Sequence, residues 1–219
     1  MANKRRFYNE ERVVKVTNKD DMVAINFAAL AAATPTFDDH PWEYICIREG
    51  VVIGTDRCRI HRAKLETKIE DGLYELIKST KKECVIERIK DDEGYPSQRA
   101  IDKCMNVEGH KLGIVNGLFS ILPATLVYLV GKNGQAMRPE YIIDACKLMS
   151  SGHVIVTLPT DPNCGVHIEH TDGTMEAFIM PVLCPQVAVK FSPMSHDGYP
   201  CAIYPDEVYL RHLRILNKG

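Results

Sequence analysis

The chain has 219 residues, 45% of them hydrophobic and 26% charged, with a formal net charge of -2. This is ordinary composition for a globular protein with one large or two small cores, and it excludes a global basic field for nucleic acid while leaving room for a local basic face. No apolar run approaches the roughly 20 residues of a membrane helix, and the start, Met1-Ala2-Asn3-Lys4-Arg5-Arg6, carries no secretory pattern. Eight cysteines (Cys46, Cys58, Cys84, Cys104, Cys146, Cys164, Cys184 and Cys201) include no C-x-x-C pair. Reduced, buried thiols in a cytoplasmic protein are expected.

Residues 1–10 read as a polar, basic arm. Val13, Val14 and Val16 suggest a short strand. Asn18-Lys19-Asp20-Asp21 supplies turn and cap chemistry. The Ala-rich run 22–33 reads as a helix buried against a sheet, ended by Thr34-Pro35. Residues 44–47 and 51–53 are β-prone around an Arg48-Glu49-Gly50 turn. Residues 54–64 alternate; an extended chain puts Arg57, Arg59 and His61 on one face and Cys58, Ile60 and Arg62 on the other. Residues 73–78 and 84–89 flank a polar turn, as a hairpin does, and the charged loop 91–97 offers a boundary. Strand 111–115, apolar helix 118–130 and helix 139–149 follow, the last with Pro139 in its first turn and stopped by Ser150-Ser151-Gly152. Strands recur at 154–158, 166–169 and 177–182, with Asp172-Gly173 as a tight turn. Residues 205–216 could form a short amphipathic helix. A helix followed by three strands occurs twice, a repeat of architecture rather than of residue identity. The class is α+β, divided as arm 1–10, first domain 11–105, shortened second domain 106–183 and extension 184–219.

Two segments carry more. Gly54-Thr55-Asp56-Arg57-Cys58-Arg59-Ile60 resembles the Thr-Asp-Gly-His-Arg-Leu signature of bacterial DNA polymerase sliding clamps, the DNA polymerase III beta subunit family. Thr55, Asp56 and Arg59 match outright; Arg57 stands in place of glycine and Cys58 in place of histidine. Phe178-Ile179-Met180-Pro181-Val182 resembles the Val-Met-Pro-Met ending of the same proteins. Between them, Tyr95-Pro96-Ser97-Gln98 and Arg138-Pro139-Glu140-Tyr141-Ile142 resemble two further clamp motifs in the correct order, so the resemblance spans residues 11–183. The chain departs from the family in length, with room for about two of the three clamp domains and a run-on beyond Leu183. Two shortened domains and one domain with an insertion after Glu66 both fit.

The resemblance implies a non-enzymatic processivity factor without cofactor or metal. It would bind duplex DNA non-specifically and recruit polymerase or other partners through an apolar peptide pocket. A two-domain subunit would close its ring as a homotrimer. The implied lining is Thr55, Arg57, Cys58, Arg59, Ile60, Pro96, Phe178, Met180, Pro181 and Val182, with Arg59 at the rim and its guanidinium in water. Methionine suits a surface that accepts varied peptides. DNA contact needs Lys and Arg; the helix at 22–33 has none, and the candidates are Arg62, Lys64, Lys78, Lys81, Lys82, Lys132 and Arg138, for which a solvated face is the plainer reading.

Cys58-x-x-His61 and Cys164-x-x-His167 could supply four zinc ligands, but buried cysteine and surface histidine is the simpler expectation. Asp38-Asp39-His40 and Asp91-Asp92-Glu93 read as solvated loops rather than cation sites. Gly131-Lys132-Asn133-Gly134 lacks the ending of a phosphate loop, and there is no G-x-S-x-G or H-E-x-x-H. Two alternatives stay open: a monomeric interaction module that keeps only the peptide pocket, and a small α+β enzyme.

Overall fold

The computed structural model describes residues 10–33, 40–114, 137–149, 154–161 and 163–181. The expected arm up to residue 9, the Thr34-Pro35 stop, the helix at 118–130, the stop at Ser150-Ser151-Gly152 and the extension at 184–219 lie outside the described residues. The chain divides into two compact units, Met1–Pro96 and Ser97–Gly219.

In the first unit a short 3-10 turn leads into β1 (Val13–Val16) and α1 (Lys19–Ala29). Five strands follow: β2 (Ile45–Arg48), β3 (Val51–Thr55), β4 (Arg59–Lys64), β5 (Gly72–Ser79) and β6 (Cys84–Lys90). They form antiparallel neighbours in the order β1-β6-β5-β2-β3-β4. Helix α1 starts three residues before the sequence expectation. Asn18 is its cap, with Oδ1 accepting from Asp20 N at 2.8 Å and Asp21 N at 3.1 Å, and two acids suit the positive end of the helix dipole. The helix therefore contains one basic residue, Lys19, beside Asp20. It also ends early. Ala31 N bonds to Ala28 O and Ala33 N to Trp42 O, so the last alanines tighten into turns and leave toward Trp42.

The turn between β2 and β3 is the two residues Glu49 and Gly50, with φ of 51° and 75°, the left-handed pair that matches strand twist in a tight hairpin. Ile45, Ile47, Val52 and Ala63 alternate onto the face that meets Ile25, Phe27 and Ala28 of α1, all buried. On the opposite face Cys46, Ile53 and Leu73 are buried too; here Tyr95 is buried and its hydroxyl donates to Ile53 O at 3.1 Å.

The second unit holds α2 (Gln98–Met105), β7 (Gly109–Ile114), α3 (Pro139–Leu148), β8 (Val154–Pro159), β9 (Val166–His170) and β10 (Met175–Ile179). Its strands are antiparallel in the order β10-β9-β8-β7, and both helices contact β10. Helix α2 was not legible in the sequence. Ser97 caps it through Ala100 N at 3.3 Å, and Ile101 and Met105 bury one side. The last strand is displaced from its expected span: Met180 and Pro181 follow β10 rather than lying in it. The order strand, helix, three strands thus recurs as β1-α1-β2-β3-β4 and, among the described residues, β7-α3-β8-β9-β10. The protein is α+β. No described helix is long and apolar enough to cross a membrane.

Candidate partner-binding segments

The β3–β4 connection is a self-closed turn. Thr55 is buried; its hydroxyl donates to Arg59 O at 2.7 Å and accepts from Arg57 N at 3.0 Å. One Asp56 oxygen accepts from Cys58 N and Arg59 N at 2.9 and 3.0 Å, and the other holds Arg59 Nε at 3.0 Å. Aspartate suits this place because its short carboxylate can bridge backbone N–H groups two and three residues ahead. The three positions that match the clamp signature outright are therefore the ones that build the turn. The two that depart from it, Arg57 and Cys58, are the exposed ones.

This geometry corrects two expectations. Arg57 does not share a face with Arg59 and His61, because its φ is 73° and the strand restarts only at Arg59. Arg59 does not sit in water at a rim; it is 9% exposed and its guanidinium pairs with Asp56. From Arg59 onward the alternation holds, with Ile60 and Arg62 half-buried on the other face and Lys64 exposed.

A left-handed non-glycine residue costs roughly 1–2 kcal/mol, and glycine gives part of that relief back through the unfolded chain. Arg57→Gly and Arg57→Ala both lose the guanidinium, but only glycine relieves the backbone. The glycine variant is expected to be about 1 kcal/mol more stable than the alanine variant in urea melts. Equal stabilities would mean that the turn does not demand a positive φ at this position.

Trp42 lies beside the turn. The Arg57 guanidinium carbon is 5.1 Å from the Trp42 ring centroid, and His40 stacks on Trp42 at 4.5 Å and 16°. Pro96 is half-buried, and its carbonyl accepts from Arg48 Nη1 at 3.3 Å. Arg48 Nε in turn donates to Asp92 at 2.7 Å. In the second unit, Phe178 is buried; its ring packs on Gly165, where an added Cβ would meet Phe178 Cζ at 2.6 Å. Met180 is 39% exposed and Pro181 half-buried; Val182 lies outside the described residues. A cleft of about 410 Å³ in the first unit, between β1 and residues 67–70, is lined by none of the expected site residues.

The basic candidates fall in separate places. Arg62 and Lys64 are on β4. Lys78 bonds to Glu83 at 2.7 Å, with Lys81 and Lys82 exposed in the β5–β6 turn, and β2 and β3 stand between β5 and β4. Arg138 of the second unit lies over Tyr141 at 5.5 Å. Lys132 is outside the described residues. The Cys58/His61 pair reverses expectation: the cysteine is exposed and the histidine fully buried, stacked on Phe27 at 4.4 Å with Nδ1 donating to Phe27 O at 2.8 Å. His167 is buried as well, with Nε2 bonded to Glu176 at 3.0 Å. Asp91 is paired with Arg88 at 2.8 Å. Among the described residues no group of three His, Cys, Asp or Glu is placed to hold a metal ion.

Burial pushes the Cys46 thiol up to about 12, against the pull of the nearby Arg48 cation, and pushes Cys146 to about 12 as well. Both are core positions, and only the thiolate is nucleophilic. A maleimide near neutral pH is therefore expected to modify Cys58 before Cys46 and Cys146 in peptide mapping. Early labelling of Cys46 in folded protein would contradict its burial.

Paired strand-helix-three-strand units with this turn define a protein of the DNA-clamp fold class, and comparison with solved structures agrees. The chain is similar to the beta subunit of DNA polymerase from Streptococcus pyogenes (14% identity, TM-score 0.51, covering 81% of this chain and 67% of that one). It is also similar to DNA polymerase III subunit beta from Borrelia burgdorferi (10%, 0.55, covering 81% and 66%) and to the C. crescentus beta sliding clamp (12%, 0.53, covering 84% and 69%). The likeness establishes the sliding-clamp fold, and the chain spans about two thirds of the length of these clamps. No family model and no curated protein sequence matches it.

Proposed function

We propose that the chain is a sliding-clamp-like replication factor that recruits polymerase or other partners through short apolar peptides. In this reading Arg57, Cys58 and Ile60 contribute from the first segment and Met180 and Pro181 from the second. Thr55, Asp56 and Arg59 hold the turn that presents the first group. The observation that carries the reading is this turn: a clamp fold whose Thr-Asp-x-x-Arg residues are spent on shape while the intervening side chains face outward. Duplex DNA would be held non-specifically by basic side chains of an assembled ring.

Met180 is the clean test of peptide binding, because Arg59→Ala would also open the turn. Met180→Ala is expected to weaken a labelled peptide with leucine and phenylalanine anchors by about 1 kcal/mol or more. Unchanged affinity in fluorescence anisotropy, with folding intact, would remove Met180 from the site.

A second reading is favoured by one feature of α1. Its clearly exposed residues are Lys19, Asp20 and Val23, which present no net positive charge. A monomeric interaction module, binding partners without encircling DNA, fits that surface. Light scattering across a dilution series separates the two: a mass of about three subunits supports the ring, and a monomer throughout supports the module.

A further inference from the structure

Two thiols of the second unit, far apart in sequence, are brought together by strand pairing. Glu108, just past α2, is bonded to Thr160, just past β8. Its carbonyl accepts from Thr160 N at 3.2 Å and so extends the Gly109–Pro159 pair by one residue. Cys104 stands four positions before Glu108 and Cys164 four positions after Thr160. Both segments turn over that distance. Asn106 N donates to Asp102 O and Val107 N to Met105 O at the end of α2, while Cys164 N donates to Asp161 O at 3.0 Å.

Both segments also meet β10. Helix α2 contacts it directly. Cys104 is three positions from Ile101 and next to Met105, the two residues that α2 buries, so it lies on the margin of the packed side. Cys164 precedes Gly165, where an added Cβ would run into the Ile179 carbonyl and the Phe178 ring of β10. Burial pushes the Cys104 thiol up, and the neighbouring Cys164 adds to that push while Lys103 opposes it. The two thiols are thus close enough to sense each other. Both are half-buried, whereas Cys46, Cys84 and Cys146 are buried and Cys58 is exposed in the first unit. A small oxidant reaches a half-buried thiol more readily than one in a core.

We propose that Cys104 and Cys164 are an oxidisable pair, which a peroxide converts to a disulfide that pins α2 to the turn before β9. Cys164 reacts first, because exposed Asp161 and Asn163 flank it in that turn. Its thiolate attacks one peroxide oxygen, the O–O bond breaks, and a sulfenic acid forms with release of water. The Cys104 sulfur then attacks the sulfenic sulfur. The S–O bond breaks, the hydroxide takes the Cys104 proton, and a second water leaves. Two thiols have given two electrons to one peroxide. The inference is independent of peptide recruitment.

The full chain is treated with hydrogen peroxide near neutral pH, its remaining thiols are alkylated, and it is digested without reduction. Mass spectrometry is expected to find the Cys104 and Cys164 peptides linked and lighter by two hydrogens than the reduced pair. Dithiothreitol should abolish the link. Hydrogen exchange at the α2 amides should slow on oxidation and recover on reduction, since a cross-link suppresses local opening. In Cys104→Ser, dimedone should trap the sulfenic acid at Cys164; circular dichroism checks that the variant folds, and the wild-type map needs no variant. Alkylation of both thiols after oxidation overturns the proposal. So does a dominant link from either to another cysteine or to a second chain, or a link that forms only in urea.

Discussion

Replacing Gly54 with alanine is expected to cost about 3 kcal/mol or more of stability, at the upper end of overpacking penalties. Gly54 lies in β3 opposite His61, on the face that α1 crosses. An alanine Cβ there would overlap the Ala28 carbonyl oxygen and approach its carbon to 2.7 Å. The obstacle is helix backbone, not a side chain that could swing away. Lifting α1 would also separate Phe27 from His61, losing their ring stack and the bond between Nδ1 and Phe27 O. Gly50 provides the contrast. It has nothing within 4 Å of an added Cβ, only a φ of 75°, so Gly50→Ala should cost about 1 kcal/mol. Urea melts of the two variants measure the difference. A Gly54→Ala cost no larger than that of Gly50→Ala would mean that the helix rides higher on the sheet than described.

The second large effect belongs to Asp21. It is fully buried, yet it accepts from Glu66 N at 2.6 Å and Thr67 N at 3.1 Å. Asn18 adds a bond from Nδ2 to Glu66 Oε2 at 3.0 Å. The first turn of α1 thereby fastens the segment that follows β4. Asp21→Ala removes two bonds to a carboxylate and strands two N–H groups, so a loss of about 3 kcal/mol is expected. Asp21→Asn keeps one acceptor and should cost about half as much. Thermal melts of both variants, with hydrogen exchange at the Glu66 and Thr67 amides, give the measurement. An alanine variant within about 0.5 kcal/mol of wild type, the range of ordinary surface substitutions, would show that water satisfies those amides and that Asp21 is not their anchor.

Much of the fold is legible from residue pattern alone. Val51 to Ile53 within β3, the hairpin of β5 and β6 and the Pro139-led helix announce themselves through β-branched runs, turn residues and apolar spacing. The errors have local causes. Asn18 through Asp21 is legible as turn and cap chemistry, and Asn18 is the cap; the polar first turn hides only that the helix already begins at Lys19 rather than Met22. Helix α2 leaves little trace in the sequence because only Ile101 and Met105 are buried on its apolar side in eight residues. His61 reads as a surface residue because burying an imidazole needs a partner for its polar nitrogen; the Phe27 carbonyl, distant in sequence, is that partner.

The site is harder to read than the fold. Thr55, Asp56 and Arg59 were legible through the clamp signature, but the signature does not say that they act on one another rather than on a ligand. Alternation assigned Arg57 to the face of Arg59 because a single left-handed residue leaves no trace in hydrophobic pattern. The Trp42 contact crosses a stretch of chain that no local spacing rule spans. The basic residues illustrate the same limit: Lys81 and Lys64 belong to one unit, and only the strand order shows that two strands stand between their elements.

That strand order also bears on how the first unit comes into being. β1 is the earliest described strand of the unit, and Val13 pairs with Glu87 of β6, the last described strand of the unit. The β5–β6 hairpin is placed between β1 and β2, so among the described strands β1 meets its sheet neighbour only when nearly the whole unit has left the ribosome. Until then its valines stay exposed as an unmatched edge, open to pairing with other chains. Such long-range closure delays folding and makes it cooperative. The rate at which β5 and β6 emerge would then set how long each nascent chain remains vulnerable to aggregation.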